Sequence, residues 1–180
     1  MKKRLRSRHQ IIKALFLLGI FVSFLSKPGN AQVTGDGITT IILVRHAEKV
    51  DNSSDPDLSE DGYERAAKLA EILHHVKFDA VYSTDFIRTR ETAKPVAEAN
   101  NLSIIPYDPG NSASEARKWL SNHSGETILV SGHSNSTPAF ANEILGRQHF
   151  ESGFDESDYG NLLMISISDN GGRKLLHLRY

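Results

Sequence analysis

Residues 38–48 read Ile-Thr-Thr-Ile-Ile-Leu-Val-Arg-His-Ala-Glu: seven apolar or β-branched residues that stop abruptly at Arg45-His46. Such a run reads as a buried strand. The polar stretch 45–57 after it, with Asp55-Pro56-Asp57, reads as a loop. The chain then meets a helix start. Ser59 is a capping residue, and Glu60 and Asp61 place negative charge at the positive end of the helix dipole. Ala66, Leu69, Ala70 and Leu73 recur at spacings of three and four, which buries one face of that helix.

The same alternation continues outward. Phe78–Tyr82 reads as a second strand, and about 85–99 as a helix bent by Pro95. Ile104-Ile105 is a weak third strand, and Ala116, Trp119 and Leu120 mark a third helix. Thr127–Val130 is a fourth strand. The next helix is expected to be capped by Thr137, with Pro138 at its first position and Gly146 at its exit. Leu162–Ile167 and Lys174–Leu178 flank Asp169-Asn170-Gly171-Gly172, a hairpin signal. Strand and helix alternate four times. That pattern predicts an α/β domain, a three-layer α/β/α sandwich around a mainly parallel sheet. Ligands of such sheets bind at the carboxyl ends of the strands.

The N-terminus reads differently. Lys2, Lys3, Arg4, Arg6 and Arg8 precede an apolar stretch, Ala14–Leu25, and then Lys27-Pro28-Gly29-Asn30-Ala31. This layout is that of a secretory signal peptide over 1–31, cut after Ala31, leaving 32–180 as a single domain. An uncleaved anchor is the alternative, although the apolar run falls short of the roughly 20 residues a bilayer span needs. Either reading sends the domain out of the cytoplasm, as a periplasmic, secreted or membrane-anchored protein. With no cysteine in the chain, neither lipidation on sulfur nor a disulfide is available. Residues 1–31 hold seven of the 21 Lys and Arg and none of the 22 acids, so 32–180 carries 14 basic residues and a net charge of −8. An acidic body argues against a nucleic-acid binder. An anionic ligand would need a local cluster of cations.

Three strand ends supply one. Arg45-His46-Ala47-Glu48 follows the first strand. Ser83-Thr84 and, one helical turn on, Arg88 follow the second; Gly132-His133-Ser134 follows the fourth. Two guanidinium groups can grip a phosphoryl group through paired hydrogen bonds. Nearby positive charge keeps an imidazole neutral and nucleophilic, so a histidine here can attack phosphorus and form a phosphohistidine. A second histidine, if protonated, adds positive charge to the transition state. The acids show no ligand spacing for a metal. With no Gly-x-Ser-x-Gly elbow, Ser83, Thr84, Ser131 and Ser134 do not indicate a serine hydrolase. Glu48 is read either as a group that orients Arg45 or as a surface acid. His74-His75 reads as a solvated helix end and Trp119 as core.

At this point the sequence resembles a known family. Ile42-Leu43-Val44-Arg45-His46-Ala47-Glu48 is similar to the Arg-His-Gly/Ala signature of the histidine phosphatase (phosphoglycerate-mutase-like) superfamily. Leu58-Ser59-Glu60-Asp61-Gly62 resembles its next block. Tyr82 to Ala93 resembles its Ser-Ser/Pro-x-x-x-Arg-x-x-x-Thr-Ala segment, and Val130-Ser131-Gly132-His133 its second-histidine block. The blocks fall in family order over about 38–146. The resemblance implies a phosphoglycerate-mutase-like fold and no cofactor. It makes His46 the phosphorylated nucleophile and places Arg45, Arg88 and His133 around the phosphate. It adds Asn52, six residues after His46, as a phosphate contact. The family's proton donor has no recognisable block here; Asp108 is the first candidate, Glu115 and Asp158 the alternatives.

The expected function is hydrolysis of phosphomonoesters through His46, on a phosphorylated small molecule, with no nucleic-acid partner. The small size and open rim also admit a phosphohistidine or phosphoprotein phosphatase. A non-catalytic phosphate- or phosphosugar-binding module is the third reading. Loops 49–57, 106–115 and 147–160 are expected to border the pocket, with Phe150, Phe154 and Tyr159 as possible substrate contacts.

Overall fold

The computed structural model describes residues 37–180. The signal-peptide reading of 1–31 lies outside the described residues. Six strands form one sheet: β1 (Thr39–Arg45), β2 (Ala80–Ser83), β3 (Ile104–Pro106), β4 (Thr127–Gly132), β5 (Asn161–Ile167) and β6 (Arg173–Arg179). Between them run α1 (Glu60–Ile72), α2 (Ile87–Ala99), α3 (Ser112–Asn122) and α4 (Ser136–Leu145). The sheet order is β3-β2-β4-β1-β5-β6. β1 to β4 are mutually parallel, and β5 and β6 are added as an antiparallel hairpin. Among the described residues no helix is long and apolar enough to cross a membrane.

The two faces follow from the pleat. Successive side chains of a strand point to opposite sides. On β1, Ile41 and Leu43 enter one core with Trp119 of α3 and Phe140, Ala141 and Ile144 of α4. Ile42 and Val44 enter the other with Leu69 of α1 and Ala93, Val96 and Ala97 of α2. Both faces of β1 are therefore dry, which is why its sequence is continuously apolar. The layers are those expected of a three-layer α/β sandwich.

Helix ends show where local signals hold. Ser59 caps α1, its Oγ accepting from Gly62 N at 3.2 Å. Gly62 is also required by space: a Cβ there would lie 2.3 Å from the Glu48 carbonyl oxygen, where α1 crosses the loop leaving β1. Pro95 lies inside α2. The expected start of α4 is corrected. Asn135, not Thr137, holds the cap position, and no side chain caps the helix. Thr137 lies in the first turn, and its hydroxyl donates to the Val44 carbonyl at 3.3 Å. Ser136 Oγ turns back to accept from His133 N at 3.0 Å. A tertiary contact thus takes the hydroxyl that the local pattern assigns to a cap. The exit at Gly146 is as expected, with φ +65°.

Candidate active site

Strand register brings the informative residues together. Arg45 pairs with Gly132 across β1 and β4, and Ser83 with Ser131 across β2 and β4. The residue after each pair leaves the sheet at the same edge. His46 N donates to Gly132 O at 2.9 Å and Thr84 N to Ser131 O at 3.3 Å. β1 continues toward α1 on one face and β4 into α4 on the other, so their ends part and leave a crevice. The crevice is a cleft of about 570 Å³ lined by His46, Arg88 and His133, with Lys49, Ser134 and Glu156 among its other walls.

His46 is 4% exposed. Its Nδ1 lies 2.8 Å from the Ala47 carbonyl, an acceptor only, so Nδ1 carries the hydrogen and donates. That leaves the Nε2 lone pair free. Burial, with Arg45 and His133 beside the ring, lowers the His46 pKa to about 3, so the imidazole is neutral. Ala47 N donates to Thr92 Oγ1, whose hydroxyl donates to the Arg88 carbonyl. This ties the turn that carries His46 to the helix that carries Arg88. It accounts physically for a threonine four residues after that arginine.

His133 stands across from His46, with ring centroids 5.6 Å apart. Its Nε2 lies 3.0 Å from Thr84 Oγ1, which in turn bonds Thr89 Oγ1 at 2.9 Å. Burial and then Arg88 and Arg45 lower its pKa to about 4. His133 is therefore neutral at pH 7, where the sequence reading allows a protonated ring. Arg88 lies over the Phe86 ring, 4.4 Å from its centroid, with Asp55 Oδ1 3.6 Å from its Nη1. Asp55 Oδ1 also accepts from Ile87 N at 2.8 Å, supplying the anion that the first turn of α2 lacks.

Arg45 is fully buried. Its Nη1 donates to the carbonyls of Asp155 (2.8 Å) and Asp158 (3.2 Å), and Tyr159 covers its plane at 4.2 Å. Its Nη2 donates to Glu156 Oε2 at 2.6 Å. The Nε atoms of Arg45 and Arg88 are buried without a partner among the described residues. Two unsatisfied guanidinium donors beside two neutral imidazoles make a site suited to an anion.

The rim differs from several expectations. Asp108 is exposed and its Oδ1 accepts from Gly110 N at 2.9 Å; Pro109 and Gly110, not Asp108, line the cleft. Glu115 pairs with Lys118. Asp158 is bound by both terminal nitrogens of Arg179, which hold its pKa at about 2, and it does not line the cleft. Asn52 is exposed and accepts from Lys49 Nζ at 3.1 Å, outside the lining. Glu48 does not orient Arg45: its carboxylate takes Arg65 Nε at 2.8 Å and Nη2 at 2.6 Å. Arg90 pairs with Asp85 and does not line the cleft. Phe150 and Phe154 pack against the α3/α4 core rather than lining the pocket, and of the three aromatics only Tyr159 meets the site residues. Among the described residues no group of His, Cys, Asp or Glu could hold a metal ion.

Sequence reasoning misses Lys49 and Glu156 as pocket walls and Thr84 as the partner of His133. Thr84 sits at a strand end and is within reach of that reading. Nothing local singles out Glu156 among Glu151, Asp155, Glu156 and Asp158.

Residues 41–109 match the family model for the histidine phosphatase superfamily (branch 1). Phosphoserine phosphatase 1 of Hydrogenobacter thermophilus is 44% identical over 75 residues, 38% of this chain and 36% of that protein. The fructose-2,6-bisphosphatase TIGAR of Xenopus laevis is 35% identical over 80 residues, 38% of this chain and 29% of that protein. The matches thus span about a third of those relatives' length. Among solved structures, Bacillus stearothermophilus YhfR superposes with a TM-score of 0.65 at 17% identity, covering 77% of this chain and 96% of that one. The protein histidine phosphatase SixA complexed with tungstate gives 0.61 at 17%, covering 78% and 96%. These two likenesses speak to the fold, and the family model speaks to the segment that holds His46 and Arg88. Motif order and matched segment agree: residues 41–109 are similar to the histidine phosphatase superfamily (branch 1), and the fold is that of the solved structures named above.

Proposed function

We propose that this protein is a phosphatase that hydrolyses phosphomonoesters in two steps through a phosphohistidine on His46. The observation that carries the reading is the free Nε2 of a neutral, buried His46 at a cleft that Arg88 and His133 also line. The Nε2 lone pair attacks phosphorus and the bond to the leaving oxygen breaks. That oxygen takes a proton from a carboxylic acid at the rim. Water then attacks phosphorus, gives its proton to the same carboxylate, and the P–N bond breaks. Inorganic phosphate leaves and His46 returns neutral. Arg88, Arg45 and His133 hold the equatorial oxygens. A bound dianion draws the pKa of His133 upward, so the ring can gain its proton as the phosphoryl group arrives.

Two carboxyl groups are the candidates for the proton donor. Asp108 precedes the cleft residue Pro109, and Glu156 is itself a wall. Glu156 is held ionised, by Ser134 first and Arg45 next, so as a donor it must first release both. The small cleft with its polar walls fits the phosphate ester of a small polar molecule. A relative named phosphoserine phosphatase points to the same class. The basic-then-apolar N-terminus adds export to the reading, to be checked by cell fractionation.

The test is turnover of an aryl phosphate by the purified protein in EDTA, beside His46→Ala. Turnover that disappears in the variant, with a ³²P label retained on wild type after an acid-free quench, supports the reading. A folded wild type without turnover on aryl phosphates or phosphoserine would leave a phosphate-binding module. Asp108→Asn and Glu156→Gln, compared on aryl and alkyl phosphates, assign the acid. The true donor loses far more on the alkyl ester, whose leaving oxygen needs the proton.

A further inference from the structure

Glu156 stands at the wall of the cleft, against Arg45 and Ser134. Its Oε2 sits 2.6 Å from Arg45 Nη2, and its Oε1 accepts from the Ser134 hydroxyl. Arg45 is left with no solvent exposure at all, while the Glu156 side chain is 77% exposed. The Nη2 of that guanidinium is capped by a carboxylate whose side-chain contacts are Nη2 and the Ser134 hydroxyl. The backbone around Glu156 is anchored independently. Arg45 Nη1 binds the carbonyls of Asp155 and Asp158, and Phe154 N donates to Ser134 O at 2.9 Å. The side chain can therefore leave while its loop stays. Arg45 is thus divided: Nη1 fastens the loop, and Nη2 serves whichever anion is present.

We propose that Glu156 is a specificity-determining residue, an internal carboxylate that occupies the phosphate position on Arg45 and Ser134 until a phosphoryl group displaces it. The proposal rests on the phosphate-pocket reading above. Its consequence is selection by charge. A weakly held monoanion does not replace a carboxylate that already satisfies Nη2, whereas a phosphomonoester dianion offers more charge and more acceptor oxygens. Lys49 and Arg88, cations that line the cleft, remain for the oxygens that Arg45 does not reach.

The experiment is calorimetric titration of the full chain with inorganic phosphate and, separately, with methylsulfate as a monoanion. Wild type is compared with Glu156→Gln, Glu156→Asp and the exposed loop control Glu151→Gln. Gln removes the charge; Asp keeps the charge but is too short to reach Nη2. Displacement predicts that Gln and Asp both bind phosphate about tenfold more tightly, the worth of one charge-assisted hydrogen bond. It also predicts that both gain measurable methylsulfate binding and that Glu151→Gln matches wild type. Tightening in Gln alone, with Asp like wild type, would show a general charge effect and overturn the proposal. Unchanged or weakened binding in both would overturn it too. Phosphate binding by none of these forms would remove the pocket reading and the proposal with it, and wild-type turnover tests that reading independently.

Discussion

The floor and the rim of the cleft are built on different principles. The floor is made of strand ends. His46, Arg45 and Thr84 are buried, and each is fixed by backbone pairing at or beside its own position. The rim is made of loops 49–57, 106–111 and 151–160, where Asn52, Asp108 and Glu156 are exposed. Groups on the floor cannot reorient without breaking the sheet, so they can hold reacting atoms. Rim groups hold exposed polar partners, as Lys49 does Asn52, and can exchange them for a ligand. On the function proposed above, the difference puts bond-making on the floor and selectivity on the rim.

The contrast is broken most directly by its largest effect. His46→Ala should lower kcat on an aryl phosphate by at least about 10⁴-fold, because no neighbouring group replaces the nucleophile. A loss under about tenfold would move the chemistry off the floor. Arg88→Ala should cost about 10²- to 10³-fold in kcat/KM, the scale of one preorganised donor in a dry site. Steady-state kinetics on the folded variants check both.

A third prediction concerns stability. His46 and His133 have folded-state pKa values of about 3 and about 4, below their ordinary 6.5. Below pH 6.5 the unfolded chain takes up protons that the fold refuses. Stability from these two residues is therefore complete above about pH 6.5 and declines as the pH falls toward 4 and then 3. His133→Gln should flatten that decline in thermal melts run between about pH 7 and 4.5, and an unchanged slope would mean that the ring is not held neutral. Gly62→Ala should destabilise by about 1–3 kcal/mol in urea titration, since its methyl would strike the Glu48 carbonyl directly behind the His46 turn. The smallest effect belongs to the rim: Asn52→Ala should leave kcat/KM within about threefold, and a larger loss would place that loop on the phosphate after all.

Much of the floor is legible in the amino-acid sequence alone. The apolar run 38–44 is continuous because β1 has a core on each face, and the residue that ends it must stand at the sheet's ligand-binding edge. Arg45, Arg88, His46 and His133 can be named because each follows a strand or opens a helix. Local pattern misplaces the start of α4 because Ser136 and Thr137 spend their hydroxyls on His133 N and Val44 O, contacts that such a pattern does not encode. Glu48 admits two readings in the sequence because its partner, Arg65, lies on α1, seventeen positions away.

By itself the sequence determined the strand and helix order, the two buried faces and the four cationic or imidazole groups at the strand ends. Periodicity and chain connectivity carry that information locally. Only the tertiary structure decided which carboxylates reach the cleft. It turned Glu48 to Arg65, Asp158 to Arg179 and Asp108 to its own loop, and sent Glu156 to Arg45 across 111 residues of sequence. The physical reason is that a loop acid has several cations within reach. Which one it meets depends on how separate loops are laid side by side, a matter of packing on which no spacing in the chain bears.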